Sequence, residues 1–344
     1  MERFEHGGDV YGHPGALDFS ASLNPLGMPP AARDALVSCV DACEAYPDPA
    51  CRELTRAIAG FEDVPEEWVL ACAGATDAFF RICLALRPRR ALVCAPCYAG
   101  YEEALVQVGC SVVLHRLDER TGFDATERMA EAIRPGVDVV FLANPNNPTG
   151  RCLARDVLEA CLVRAREAGA LVVLDECFVD VAEGAGSTDL VARHDNLVLV
   201  KALTKSFALA GLRVGYALCS NAELLARLRA AGQPWAVSVP AQAAGIACLR
   251  DAGSYLAQSR ALIARERASL RRALEAQGFV VVPSEANYLL FRAPRDLSAA
   301  LLARGVLVRS CANFVGLDAR WHRIAVRTPE ENAAFVRALG EVCA

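Results

Sequence analysis

Uninterrupted apolar runs recur at 69–73, 91–95, 138–143, 170–175, 197–201 and 214–219, and helix-period patterns separate most of them. One such pattern, 153–168, puts Leu153, Val157, Leu158, Cys161 and Leu162 on a single face. Strands that are apolar throughout, rather than at alternate positions, are buried on both sides. Their alternation with helices therefore predicts an α/β fold, with a mostly parallel sheet covered on each face. Ligands on such sheets bind beyond the carboxyl ends of the strands. After residue 250 the pattern changes. A helical stretch over 253–277 stops at Gly278, and short strand-like runs follow at 279–282, 287–292, 306–309 and 322–326. A closing helix begins at Pro329, where proline suits a first helical turn. This second region reads as α+β.

Composition narrows the class. A chain of 344 residues is long enough for a large α/β domain and a smaller companion. With 54% hydrophobic and 22% charged residues it is a folded globular protein. A net charge of -5 without a basic tract gives no sign of a nucleic-acid partner. The opening MERFEHGGDVYG lacks the apolar stretch of a secretory signal, and no apolar run is long enough to span a bilayer. The expectation is a cytoplasmic protein with no membrane partner. Its fifteen cysteines are an odd number and sit in apolar segments, which predicts reduced core thiols. Cys94-Ala-Pro-Cys97 has redox-motif spacing, but two small residues at a strand end explain it as well. No His/Cys cluster has ligand spacing, so no metal is expected.

Three polar motifs close apolar runs: NPNNPTG (144–150), LVVLDE (171–176) and KALTKSFALAGLR (201–213). Each alone has an ordinary explanation as a turn, a cap or a surface lysine. Together they set an aspartate at one strand end and a lysine one connection later, as a pyridoxal-phosphate site requires. Lys205 offers the amine for a Schiff base with the cofactor aldehyde. Asp175 offers the charge that pairs with the protonated pyridine nitrogen and keeps the ring an electron sink. Asn147 can donate to the phenolic oxygen, and Arg213 presents a planar fork of donors to a phosphate. AGATD at 73–77 follows a strand-like run and opens a helix over 76–87, whose first N–H groups suit a phosphate.

These motifs resemble the fold-type I pyridoxal-phosphate enzymes, the aspartate aminotransferase superfamily. The resemblance implies a large cofactor-binding domain, 45–245, with a mostly parallel seven-stranded sheet. It also implies a small α+β domain built from both termini, 1–44 and 246–344. It gives Gly74, Ala75 and Thr76 to the phosphate loop, adds Thr204 to the phosphate site, and stacks Tyr98 on the cofactor ring. Tyr46, in AYPDP, matches a tyrosine that reaches the phosphate of a neighbouring subunit, which implies a homodimer with shared active sites. Two positions depart from the pattern. Phe178 stands where many relatives carry a tyrosine on the phenolic oxygen. Ala202 stands where many carry Ser or Thr on the phosphate, with Thr204 as the available substitute.

Within the superfamily two families compete: histidinol-phosphate aminotransferase, and the threonine-phosphate decarboxylase of cobalamin biosynthesis. HGG (6–8), LDFSASLNPLGMP (17–29), DECF (175–178), PWAVSVPAQAAG (234–245) and LVRSCANFVGLDARWHRIAVR (307–327) are similar to the decarboxylase. By that resemblance Arg323 holds the substrate carboxylate and Arg309 contributes to the anion site. Either guanidinium can grip an anion through two parallel N–H bonds. His6 is a donor for the substrate phosphate, with Gly7 and Gly8 permitting close backbone approach. Asn24, Asn147 and Asn287 line the substrate pocket. The implied reaction is decarboxylation of O-phospho-L-threonine to (R)-1-aminopropan-2-yl phosphate. Transamination of histidinol phosphate is the alternative, and O-phosphoserine, one methyl smaller, a second possible substrate.

Overall fold

The computed structural model describes residues 6–343, so the first five residues of the 1–44 segment lie outside the described residues. Seven strands form one sheet in the order Val69–Cys72, Gly215–Leu218, Leu197–Ala202, Leu171–Asp175, Val139–Ala143, Arg90–Ala95, Ser111–Arg116. Gly215–Leu218 alone is antiparallel to its neighbours. The other pairings, from Leu197–Ala202 outward, are parallel. Val172, Val173, Leu174 and Leu197 to Val200 are wholly buried, because helices cover both faces of these central strands. Their branched side chains suit the pleated surface on which they pack.

Six of the seven strands coincide with the apolar runs. The seventh, Ser111–Arg116, does not. It forms the sheet edge, pairs only with Arg90–Ala95 and is half-buried, so it carries Ser, His and Arg. Helix Arg155–Ala168 turns Val157, Leu158, Cys161, Leu162 and Ala165 into the core and stops at Gly169, whose φ of 72° ends the helix in a left-handed cap.

A second sheet is antiparallel, in the order Arg309–Ser310, Trp321–Ala325, Tyr288–Arg292, Val280–Val281. Beside it Leu17–Asp18 runs parallel to Val306–Leu307. Phe19 enters this second core and packs on Phe335, ring centroids 4.9 Å apart. The amino-terminal segment then crosses to the large sheet. Helix Pro30–Ser38 contributes Ala32 to the larger core and packs against helix Val239–Arg250. Helix Ala252–Ala276 also serves both regions, with Leu256 and Ile263 in the larger core and Leu270 and Leu274 in the smaller. Among the described residues no helix is long and apolar enough to cross a membrane.

Candidate active site

The carboxyl ends of the parallel strands face the antiparallel sheet across a cavity of about 350 Å³. Asp175 is the last residue of its strand. Lys205 sits in the short helix Leu203–Ser206, directly after the adjacent strand Leu197–Ala202. The loop after Val139–Ala143 supplies Asn147, and the helix starting at Ala75 supplies Ala75 and Thr76. Tyr98, Thr204, Arg213, Arg309, Arg323, His6 and Gly7 complete the expected lining.

Asp175 is held by two donors. The Tyr101 hydroxyl donates to Oδ2 at 2.5 Å, and the Cys177 backbone N–H donates to Oδ1 at 2.9 Å. Burial raises its pKa, and the Cys177 side chain, the Tyr101 hydroxyl and the Cys177 N–H oppose the rise. No basic side chain forms a salt bridge with it among the described residues. A buried carboxylate at a cavity wall with this environment suits a cationic ring nitrogen.

Lys201 and Lys205 are the only lysines of the chain. Lys201 is fully engaged beneath the sheet, with Nζ 2.6 Å from Glu62 and 2.9 Å from Asp180. Lys205 faces the cavity, with Nζ over the Phe178 ring, 5.7 Å from its centroid. Burial, then the nearby Arg323 and Arg213 charges, pull its pKa down to about 8. The one lysine in the cavity is therefore an amine that can shed its proton near neutrality.

A phosphate cradle lies beside it. Gly74 caps the helix Ala75–Leu86 with φ 84° and ψ 170°, a conformation for glycine, and offers no side-chain cap. A Cβ on Gly74 would stand 3.0 Å from Arg213 Nη2. The guanidinium is thus pressed against a helix start where backbone N–H groups and dipole favour an anion. Among the described residues the guanidinium makes one hydrogen bond, from Nη1 to the Ala210 carbonyl at 3.2 Å, and no carboxylate pairs with it. Thr76 Oγ1 lies 3.5 Å from the Tyr98 hydroxyl, which ties the stacking candidate to this cradle. These donors fit the phosphate of pyridoxal phosphate, as Asp175 and Lys205 fit its ring and aldehyde.

The opposite wall is cationic. Arg309 and Arg323 stand directly across from one another on antiparallel strands, and both are buried. Like charges in directly opposed positions repel. Arg323 donates to Asn147 Oδ1 at 2.5 Å and to the Ser20 carbonyl at 2.8 Å, while its buried Nε has no partner among the described residues. Arg309 Nη2 donates to Asn313 Oδ1 at 2.8 Å, and its guanidinium lies over Phe314. His6 reaches over the cavity beside Tyr98, its Nε2 3.2 Å from Glu103. Gly7 is required there, because a Cβ would lie 2.5 Å from the Ser20 carbonyl oxygen.

Several expected residues are elsewhere. Gly8 lies behind the lining, its N–H on Ser20 Oγ at 2.7 Å. Asn24 does not line the cavity: its amide donates to the Ser206 carbonyl and to Ser259 Oγ, both at 2.7 Å. Asn287 is also outside, donating to the Ser22 and Leu23 carbonyls at 3.1 and 3.3 Å. Both amides pin the amino-terminal segment against the site. Tyr46 is 79% exposed, away from the cavity of its own chain, and stacks on Trp235. Tyr101, Ser20, Cys177 and Phe314 are site residues that had no expected role, although the last three lie inside the segments 17–29, 175–178 and 307–327. The CAPC thiols diverge: Cys94 donates to Met129 Sδ in the core at 3.3 Å, and Cys97 lines the cavity. Burial raises the pKa of both, which makes them poor nucleophiles.

The profile of the family "Aminotransferase class I and II" matches residues 15–339. The chain belongs to that family. Its cofactor is pyridoxal 5'-phosphate. The threonine-phosphate decarboxylase of Salmonella typhimurium is 38% identical over 331 residues, covering 95% of this chain and 91% of that protein. Histidinol-phosphate aminotransferase 2 of Ralstonia nicotianae is 36% identical over 334 residues, covering 94% and 87%. In structure, the histidinol-phosphate aminotransferase of Clostridium acetobutylicum superposes with a TM-score of 0.88 at 29% identity, covering 95% of this chain and 99% of that one. The L-threonine-O-3-phosphate decarboxylase of Porphyromonas gingivalis gives 0.83 at 26% identity, covering 94% and 98%.

Proposed function

We propose that this family member decarboxylates O-phospho-L-threonine to (R)-1-aminopropan-2-yl phosphate, the step that the resemblance implies for cobalamin biosynthesis in the cytoplasm. The opposed, buried pair Arg309 and Arg323 carries the reading. A cavity wall with two guanidiniums suits a substrate bearing two anionic groups, and a phosphorylated amino acid has a carboxylate and a phosphate. The 38% identity to a threonine-phosphate decarboxylase supports it.

Each residue then has a task. When bound, the cofactor supplies an electron sink for the pair released at Cα. Arg213 and the N–H groups at the start of helix Ala75–Leu86 hold its phosphate. Asp175 pairs with its ring nitrogen, and Tyr98 covers its face. Arg323 grips the substrate carboxylate, and Arg309 with His6 takes the phosphate. By fixing both anions they decide which Cα bond stands perpendicular to the ring and breaks. Lys205, with a pKa near 8, returns a proton to Cα after CO₂ leaves. Phe178, buried and packed edge-on to Tyr288, brings no hydroxyl to the site.

Transamination of histidinol phosphate is the second reading, favoured by the aminotransferases at similar identity. The deciding measurement uses purified holoenzyme. O-phospho-L-threonine without a keto acid should release CO₂, and histidinol phosphate with 2-oxoglutarate should give little glutamate. Fast glutamate formation with negligible CO₂ overturns the decarboxylase. Equal CO₂ from O-phosphoserine broadens the substrate only, since one methyl is worth about 1–3 kcal/mol.

A homodimer belongs to the same proposal. Exposed Tyr46, stacked on Trp235 with ring centroids 4.7 Å apart, is available to a partner's phosphate site. A fully active monomer in sedimentation at assay concentration would refute it.

A further inference from the structure

Tyr101 closes the APCYAGY segment that carries Tyr98 and has no role in the reading of the sequence, yet its hydroxyl lies 2.5 Å from Asp175 Oδ2. Its ring is wholly buried. It meets Phe79 edge-on at 5.0 Å, stacks on Phe141 at 5.2 Å and takes the edge of Tyr98 at 5.5 Å. Helix Gly100–Gln107 fixes its backbone. The phenol therefore has one place to point. Asp175 has its other oxygen on the Cys177 N–H, so two donors from different elements immobilise the carboxylate.

We propose that Tyr101 is a positioning residue that aims the Asp175 carboxylate at the cofactor ring and keeps the shared proton on the ring nitrogen. This rests on the assignment of Asp175 to that nitrogen. A carboxylate that accepts a strong hydrogen bond is a weaker base than one that does not. Burial alone works the other way, making Asp175 more basic. The Cys177 side chain and then the phenol oppose that pull, the phenol at every working pH. Burial, then the neighbouring Asp175 charge, lift its own pKa well above the usual tyrosine value, so it stays a donor. Without the donor, the proton between carboxylate and ring nitrogen moves toward oxygen. The ring then loses the positive charge that draws electrons from Cα.

The test is Tyr101→Phe, which removes one oxygen and leaves the aromatic packing in place. Holoenzyme is reconstituted with ¹⁵N-labelled pyridoxal phosphate, and the ring-nitrogen chemical shift is read. The native protein should give a pyridinium value, and Tyr101→Phe should move it toward neutral pyridine. Turnover should fall about tenfold to a hundredfold at unchanged KM, the rate equivalent of one charged hydrogen bond. Near-UV circular dichroism checks that the core is intact. An unchanged nitrogen shift in Tyr101→Phe overturns the proposal. Asp175→Asn separates the two levels. If it loses the pyridinium signal while Tyr101→Phe keeps it, the role of Tyr101 alone falls. If both keep it, the assignment of Asp175 falls as well.

Discussion

Arg323 Nη1 donates to Asn147 Oδ1 at 2.5 Å, and this one bond ties the antiparallel sheet to the loop beyond the parallel strand Val139–Ala143. The same guanidinium reaches the Ser20 carbonyl. Three separate parts of the chain thus meet on a cation that is 7% exposed and has no salt-bridge partner among the described residues. Its buried Nε has no acceptor among the described residues, and the substrate carboxylate would supply one.

Arg323→Lys should therefore cost far more than a change of one cation for another suggests. A lysine cannot span Asn147, Ser20 and a carboxylate at once, because its ammonium is a point charge without the planar fork. We expect kcat/KM to fall about a hundredfold, the scale of one or two charged hydrogen bonds at about 1.5–3 kcal/mol each. Cofactor content, read from visible absorbance, should stay near normal. Native kcat/KM in the variant would remove Arg323 from the substrate site.

Lys205 gives the pH dependence. Its pKa of about 8 means that the neutral amine is the minor form at pH 7 and the major form above pH 8. Cofactor uptake by apoenzyme needs that neutral amine, so its rate should rise with pH and level off past about 8. Burial is the larger cause of the depression and Arg323 the next. Arg323→Met should therefore shift the rise to higher pH without abolishing it. Borohydride reduction should fix the cofactor to the peptide carrying Lys205, and label on Lys201 would contradict the site. Stopped-flow absorbance and peptide mapping read the two outcomes.

The site was legible where its chemistry lies at the ends of apolar runs. Asp175, Lys205 and Asn147 follow strands that are buried on both faces, and such strands announce themselves. The edge strand Ser111–Arg116 did not, since half of its surface faces water and Ser, His and Arg are tolerated there. Asn24 and Asn287 look like pocket amides by position. Their partners, Ser206 with Ser259 and Ser22 with Leu23, lie 182 or more residues away, so only the fold reveals that the amides bond the chain itself. Tyr101 carried a usable signal. It is three residues after Tyr98 at the start of a helical segment, close enough for the two rings to meet.

Gly74→Ala should weaken the cofactor rather than the fold. At φ 84° and ψ 170° an alanine is strained by about 1–3 kcal/mol, and its Cβ would press on Arg213 Nη2 from 3.0 Å. The guanidinium must then shift by a few tenths of an ångström from its place in the cradle. We expect about a tenfold loss of pyridoxal-phosphate affinity in equilibrium dialysis, the equivalent of one charged hydrogen bond. Gly136→Ala is the control. Gly136 has φ 90°, with nothing within 4 Å of its Cβ position, so strain there should leave the affinity unchanged. Equal affinity losses in both variants would mean that strain, not Arg213, is responsible.

Lys201 should matter to stability and leave cofactor chemistry to its neighbour. It is 4% exposed, and its Nζ is shared by Glu62 and Asp180. Glu62 also accepts from Thr188 at 2.6 Å and from the Tyr216 hydroxyl. Burial works against the Glu62 carboxylate, yet Lys201, Thr188 and Tyr216 hold its pKa below the ordinary value. Lys201→Met strands two carboxylates under the sheet, at a cost of about 3–5 kcal/mol. The pH slope distinguishes this from a simple packing defect. In the native protein a depressed carboxylate pKa adds stability above the unfolded value of about 4.3, and that stability is lost as the pH falls through the folded value. In Lys201→Met the buried Glu62 carboxylate loses the charge that opposes its burial and should have a raised pKa, so the variant should gain stability relative to the native protein as the pH falls from 7 toward 5. Urea denaturation at several pH values measures both slopes. Parallel slopes would show that the carboxylates do not depend on Lys201.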